Sequence, residues 1–160
     1  MTGSTWRPST GPETRIEGYA SLFWRRDLAG DVVAAHAFSR SLGQRGQGAV
    51  KLLYQHDPHA VVGAWDSVTE DSRGLFVRGR IIEATAAGRY AASLARAGVL
   101  DGLSIGFQTR SAHPDKTGSL RILTEIELWE VSLVSFPMLP AARFRIIIPS
   151  TDHFRSALAA

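Results

Sequence analysis

The spacing of apolar residues predicts a chain built mainly of short strands. From residue 15 onward, short apolar runs alternate with clusters of turn-forming residues, which is typical of β-structure. The runs that predict one strand each are 16–24, 50–56, 61–68, 75–82 and 103–110. A longer apolar stretch, 119–136, predicts one long strand or two consecutive ones.

Two segments have a helical pattern instead. Residues 86–97 are rich in alanine, with Tyr90 and Leu94 one turn apart, and Gly98 follows in the position of a C-terminal cap. Residues 31–42 carry Phe38 and Leu42 four positions apart and predict a short helix that Gly43 ends.

Turn residues mark the connections between these elements. Asp57-Pro58-His59 predicts the turn between the second and third strands, because proline cannot donate a hydrogen bond to a strand ladder. Loops or turns are also predicted at 44–48, 71–74 and 113–118. About six strands and two helices predict a mainly β, α+β fold, a small barrel with helices packed outside.

A chain of 160 residues accommodates one domain of ordinary size. Residues 1–14 are rich in Thr, Ser, Gly and Pro and are predicted to be a mobile arm. The domain is predicted over 15–148, followed by a tail over 149–160 that is a weak helix or mobile.

Composition excludes several classes of protein. No apolar run approaches the ~18 residues that span a bilayer, which argues against a membrane protein, and the N-terminus lacks the apolar core of a secretory signal. The absence of cysteine excludes a disulfide scaffold, a thiolate zinc site and a cysteine nucleophile. The net charge of the chain is only +3, and its arginine residues are scattered along the sequence. Both features argue against a nucleic-acid module.

Ser104 is the first candidate for chemistry. It lies in Gly102-Leu103-Ser104-Ile105-Gly106, which matches the Gly-x-Ser-x-Gly pattern of the nucleophile elbow in α/β-hydrolases. That elbow needs a helix after the serine, and here a strand-like segment follows, so the sequence does not indicate an α/β-hydrolase. The glycines still permit a close approach of backbone and substrate to the serine.

Two further candidates are a histidine and a glutamate. His56 ends a predicted strand and is either a surface turn histidine or a catalytic base; a metal site formed with Asp57 and His59 lacks a third and fourth ligand at recognisable spacing. In a regular strand over 121–136, Glu130 shares a face with apolar residues. A lone carboxylate there costs several kcal/mol unless it is paired or hydrogen-bonded.

Glu130 therefore has three interpretations from the residues alone. A bulge reverses the alternation, or an arginine pairs with the carboxylate, or the carboxylate orients a histidine. The last would give a triad of His56, Ser104 and Glu130, although the spacing of the three does not by itself establish one.

The sequence resembles the prohead maturation proteases of tailed phages, including those encoded by gene transfer agents, which share a fold with herpesvirus assemblins. The resemblance covers roughly residues 16–144. It is carried in order by EGYASLF, GDVVAAHAF, VKLLYQHD, RGLFVRGRI, LDGLSIGF and LTEIELWEVSLVSFP.

This resemblance implies a serine endopeptidase on an assemblin-like β-barrel, with Ser104 as nucleophile and His56 as base. Assemblins have a second histidine in a His-Val-x-Leu setting, where this chain has Glu130-Val-Ser-Leu. Glu130 is therefore the predicted third member, with Glu125 and Glu127 as fallbacks. Arg143, in Pro-Ala-Ala-Arg, is the predicted contributor to the oxyanion site.

The resemblance also implies partners and a place of action. The substrates would be the major capsid protein with its scaffolding segment and the protease itself, cut inside the assembling procapsid in the cytoplasm of a bacterial host. Self-association as a homodimer is expected from the assemblins, the small residues at 156–160 suggest a self-processed end, and neither cofactor nor metal is implied. The alternatives are a catalytically silent capsid-assembly or scaffold protein of the same fold, a nucleic-acid module and a metal hydrolase.

Overall fold

A computed structural model of the chain describes residues 11–148. Within this range the strands are β1 (Glu13–Leu22), β2 (Asp31–Val33), β3 (Lys51–Tyr54), β4 (Asp57–Glu70), β5 (Gly74–Ile82), β6 (Gly102–Pro114), β7 (Arg121–Val134) and β8 (Phe144–Ile146). The helices are α1 (Ser39–Arg45) and α2 (Ala86–Arg96), and a 3₁₀ turn covers Gln47–Ala49. The predicted tail and the suggested processing site at 156–160 lie outside the described residues.

The strands form one curled sheet in the order β2-β7-β3-β4-β5-β1-β8, and β6 pairs with β7. β7 pairs with three other strands. Along one edge it pairs antiparallel with β6, and along the other it pairs in parallel with β2 near its start and with β3 near its end. The predicted mainly β fold with flanking helices is therefore confirmed. Among residues 11–148, no helix is long and apolar enough to cross a membrane.

Local sequence patterns explain the two elements that the sequence predicted best, β5 and α2. In β5, Leu75, Val77 and Ile81 are buried while Arg78 is exposed, so one face of the strand packs into the core. In α2 the Thr85 hydroxyl caps the N-terminus by accepting the Gly88 N–H at 3.0 Å.

Small residues face the core along α2. Its buried face is formed by the small residues Ala91, Ala92 and Ala95, whereas Tyr90 is 58% exposed. Gly98 has φ +72°, the left-handed conformation expected of the residue after a helix.

The helix predicted over 31–42 is wrong in its first half. Asp31–Val33 is strand β2, and the helix begins only at Ser39 and passes through Gly43 to Arg45. The reason is tertiary: β-branched Val32 and Val33 pair with the start of β7 and are buried there. Likewise β1 begins at Glu13, inside the predicted arm, and β8 was not predicted.

The turn predicted at Asp57-Pro58-His59 lies instead at Gln55-His56. Tyr54 pairs with Asp57, so the hairpin has two central residues, and both have positive φ (52° and 59°). Positive φ at both positions is what a type I′ turn requires, and this turn follows the natural twist of a hairpin. Pro58 is then tolerated in the first residues of β4.

Candidate active site

Three neighbouring segments bring the predicted residues together around β7. Ser104 on β6 is paired with Ser132 on β7, and Gly106 is paired with Glu130. Directly opposed residues project to the same face of a sheet, so Ser104, Ser132 and Glu130 share one face. The turn that carries His56 lies on the other side of β7, at the end of β3.

A bulge in β7 determines the direction of Glu130. Phe107 is paired with Leu128 and the next residue back, Gly106, with Glu130, so Trp129 is the extra residue on β7. Leu128 lies in the hydrophobic core, and beyond the bulge Val131 and Leu133 return to that core, whereas Ser132, which is also buried, shares the face of Glu130. The regular alternation predicted for this strand is therefore wrong, and Glu130 faces away from the core.

Glu130 contacts the imidazole of His56. Glu130 Oε1 lies 2.5 Å from His56 Nδ1, and the glutamate side chain is only 12% exposed, against 43% for the histidine. The hydrogen bond that Glu130 accepts raises the pKa of His56, burial acts in the opposite direction, and the charge of Glu130 adds a smaller raising effect. Within residues 11–148 no arginine bonds to Glu130, so the arginine-pair interpretation does not apply there.

Ser132 connects both residues and was not singled out from the sequence. Its fully buried hydroxyl donates to Glu130 Oε2 at 2.6 Å and accepts the backbone N–H of His56 at 3.1 Å. The available signal was a lone hydroxyl among apolar residues near the end of a buried strand, since such a hydroxyl needs partners.

Gly106 gives the glutamate its space. A Cβ at position 106 would overlap severely with the Glu130 carboxylate. The second glycine of the Gly-x-Ser-x-Gly stretch therefore leaves room for the carboxylate that contacts His56.

Ser104 and His56 line the same pocket, which has a volume of about 240 Å³. The serine is 5% exposed. Both residues line one cavity, and among the described residues no hydrogen bond joins the Ser104 hydroxyl to His56.

The fallback glutamates lie elsewhere. Glu125 pairs with Arg40 of α1 at 3.2 Å, and Glu127 pairs with Arg45 of the same helix and with Arg110. These carboxylates line a separate charged groove against α1 and do not contact His56.

The Arg143 guanidinium is also held away from Ser104. It donates to Asp101 Oδ1 at 2.6 Å and to the Pro140 carbonyl at 2.9 Å, and it lines a different pocket. As for metals, within 11–148 no group of three or more histidine, aspartate or glutamate side chains is placed to hold an ion.

Comparison with known sequences decides the family. The model of the family described as caudovirus prohead serine protease matches residues 5–157. The chain belongs to this family.

Two curated members of the prohead protease group show how far the likeness extends. The prohead protease of Enterobacteria phage HK97 is 31% identical over 129 residues, covering 79% of this chain and 57% of that protein. The prohead protease of Escherichia phage T5 is 30% identical over 141 residues, covering 87% and 65%. The chain thus spans less than two thirds of the length of either relative.

Solved structures confirm the assemblin-like fold. The bacteriophage T4 capsid assembly protease has a TM-score of 0.61 at 20% identity, covering 77% of this chain and 82% of that one. The Kaposi's sarcoma-associated herpesvirus protease, solved with a hexapeptide phosphonate inhibitor, has a TM-score of 0.56 at 15% identity, covering 86% and 66%.

Proposed function

We propose that this chain is a serine endopeptidase in which Ser104 is the nucleophile, His56 the general base and Glu130 the residue that orients the imidazole. The observation that carries the proposal is the 2.5 Å contact between Glu130 and His56 Nδ1 at a pocket that Ser104 also lines. A serine hydroxyl is a weak nucleophile until an imidazole takes its proton, and a third group improves this by fixing the tautomer.

The reaction follows from which ring nitrogen is occupied. With Nδ1 bonded to Glu130, Nε2 is the nitrogen that accepts the proton of Ser104 as Oγ bonds to the peptide carbonyl carbon. The C–N bond then breaks, His56 returns the proton to the leaving amine, and water hydrolyses the acyl-enzyme by the same route. Catalytic hydrogen bonds often shorten only when substrate binds, and we propose that the bond between His56 and Ser104 forms in this way.

Arg143 stays a prediction for the oxyanion site. The resemblance to assemblins implies that its contribution comes through its backbone N–H and a water, and the bond from its guanidinium to Asp101 is compatible with that. An oxyanion donor contributes about 3 kcal/mol to lowering the barrier.

The proposed substrates are the major capsid protein with its scaffolding segment, and the protease itself, cut inside the assembling procapsid. The names of the relatives, a prohead protease in each phage, support this, as does the capsid assembly role named for the T4 neighbour. Homodimer formation and self-cleavage belong to the same proposal.

A fluorophosphonate labelling experiment tests the nucleophile. The wild-type chain should be labelled at Ser104 and should cleave a co-expressed capsid precursor. Ser104→Ala should lose both properties, with a rate loss of about 10⁶-fold where a residual rate is measurable. Ser111→Ala, an exposed position on the same strand, is the matched control and should behave as wild type. Cleavage by Ser104→Ala would refute the assignment, and an unlabelled, inactive wild type would favour the silent assembly protein.

A further inference from the structure

The pocket beside Ser104 lies where the curled sheet is open. β6 is paired with β7 on one edge, and within 11–148 its other edge is bridged only at Gly102 to Arg143. β1 is paired with β5 and, over three residues, with β8. The pocket opens between these two partly free edges, with Leu22 from β1 and Phe107 from β6 among its walls.

The walls of this pocket are mostly apolar. The large apolar side chains that form them include Leu22, Val33, Leu103, Phe107, Leu123 and Leu139. A cavity of about 150 Å³ lined in this way is enough to hold benzene. The 240 Å³ here therefore accommodates a branched aliphatic side chain or one aromatic ring.

Besides His56, three charged side chains line the pocket. The carboxylates of Asp27 and Asp31 are engaged with the protein itself, and Arg25 is exposed, so solvent screens its attraction for an acidic side chain. Asp31 accepts two hydrogen bonds from Arg121, at 2.6 and 2.7 Å. Asp27 Oδ1 accepts the backbone N–H groups of Ala29 and Asp31 at 2.9 Å each. These contacts already satisfy much of the negative charge, so a lysine side chain entering the pocket would be desolvated with little compensation.

Because Ser104 lines the pocket, the position of the nucleophile determines which residue of the substrate can occupy it. Once Oγ is bonded to the carbonyl carbon, the α-carbon of the acyl-side residue is one bond away, and its side chain stays beside Ser104 until hydrolysis. We infer that this pocket receives an apolar side chain, branched aliphatic or aromatic, from the residue on the acyl side of the cut peptide bond. The inference rests on the proposed function and names its substrate preference.

Active-site-directed phosphonates separate the two ideas. In each reaction Ser104 Oγ bonds to phosphorus, the leaving group departs as an anion, and the serine proton passes to His56. A fluorophosphonate without a side chain reports only the nucleophile. Matched peptidyl diphenyl phosphonates with Leu, Phe, Lys or Glu at the residue attached to phosphorus report the pocket.

The Leu or Phe probe should react at least about tenfold faster than the Lys and Glu probes, a ratio usual for apolar pockets. Ala29→Leu adds bulk at an exposed position of the rim and should lower the rate of the Phe probe relative to the fluorophosphonate. Ala87→Leu, an equally exposed alanine on α2 outside the pocket, should leave that ratio unchanged.

Each other outcome overturns a specific statement. Rates equal within about twofold, or fastest reaction of the Lys or Glu probe, would overturn the inferred preference while leaving the nucleophile in place. A side-chain-free probe that fails to label Ser104 would overturn the proposed function and this inference with it.

Discussion

His56 is held in a backbone conformation that most residues avoid. Its φ of 59°, like the 52° of Gln55, lies in the left-handed region, which costs a non-glycine residue about 1–3 kcal/mol. Local bonds offset this cost: Gln55 N–H donates to the Leu133 carbonyl at 2.9 Å, its side chain bonds to Ser135, and His56 N–H donates to Ser132. The imidazole is thus directed by a backbone that β7 fixes.

Glu130→Gln tests the carboxylate at the scale of one residue. The amide keeps the shape but removes the charged hydrogen-bond acceptor that raises the pKa of His56 and, we propose, sets its tautomer. We expect kcat/KM to fall by about 10³–10⁴-fold, as in other triads, with the acid limb of its pH profile moving to lower pH. A loss of only a few-fold would assign the orienting role to another group.

Ser132→Ala tests the hydroxyl that is hydrogen-bonded to both Glu130 and the backbone of His56. The change removes one hydrogen bond from Glu130 and leaves the His56 N–H without its partner, so kcat/KM should fall by about 10–100-fold. In a Glu130→Gln background the same change should cost much less, because both act through one network. Urea unfolding of each variant separates effects on stability from effects on activity. An equal fall in kcat/KM in both backgrounds would contradict a shared network.

At the scale of elements, the site depends on the bulge in β7 and on the glycine opposite it. The bulge turns Glu130 out of the core, and Gly106 on β6 leaves the space that the carboxylate fills. The two strands therefore specify the third member of the proposed triad jointly.

Gly106→Ala tests this fit between strands. The new methyl would overlap Glu130 Oε1, so the carboxylate must leave its position, and kcat/KM should fall nearly as far as in Glu130→Gln. The double variant should be little worse than either single one. Gly43→Ala, in open space within α1, is the control and should keep full activity while gaining about 0.5–1 kcal/mol of stability. Full activity of Gly106→Ala would show that the fit is unimportant.

The same elements show what a single sequence does and does not predict. β5 and α2 were predicted nearly to the residue, because regular alternation and a capped alanine-rich run depend on local chemistry. β2 was predicted as helix because its strand partner is about 90 residues away along the chain. The Gln55-His56 turn was missed, and the β7 bulge was one of three open interpretations, because hydrogen bonds to a neighbouring strand impose both features. The regular alternation that drew attention to Glu130 is not the one the strand follows, although the resemblance pointed to the same residue.

At the scale of the whole molecule, arginine–carboxylate pairs tie distant parts of the sheet together. Glu17 on β1 is bonded to Arg78 of β5 and Arg145 of β8, and Glu83 is bonded to Arg96 of α2. Hydrogen bonds from these arginines lower the pKa of both carboxyls. Stability from these groups is present above the pKa of the unfolded chain and is lost as the pH falls through the lowered values.

The pKa of His56 is shifted upward in the folded chain, in the opposite direction from the pKa values of Glu17 and Glu83. This difference gives a prediction for the folded chain as a whole. A histidine whose pKa is raised by folding contributes stability that is full below its ordinary value of 6.5 and is lost as the pH rises through the raised value. Activity should rise over that same interval, because the neutral imidazole is the base. The free energy of unfolding in urea and kcat/KM, measured across the interval, should therefore change in opposite directions. In Glu130→Gln the alkaline decline in stability should disappear, and the activity profile should move to lower pH. If wild type and Glu130→Gln lost stability in parallel as the pH rose, other groups would account for the decline and the pair would not be coupled to folding.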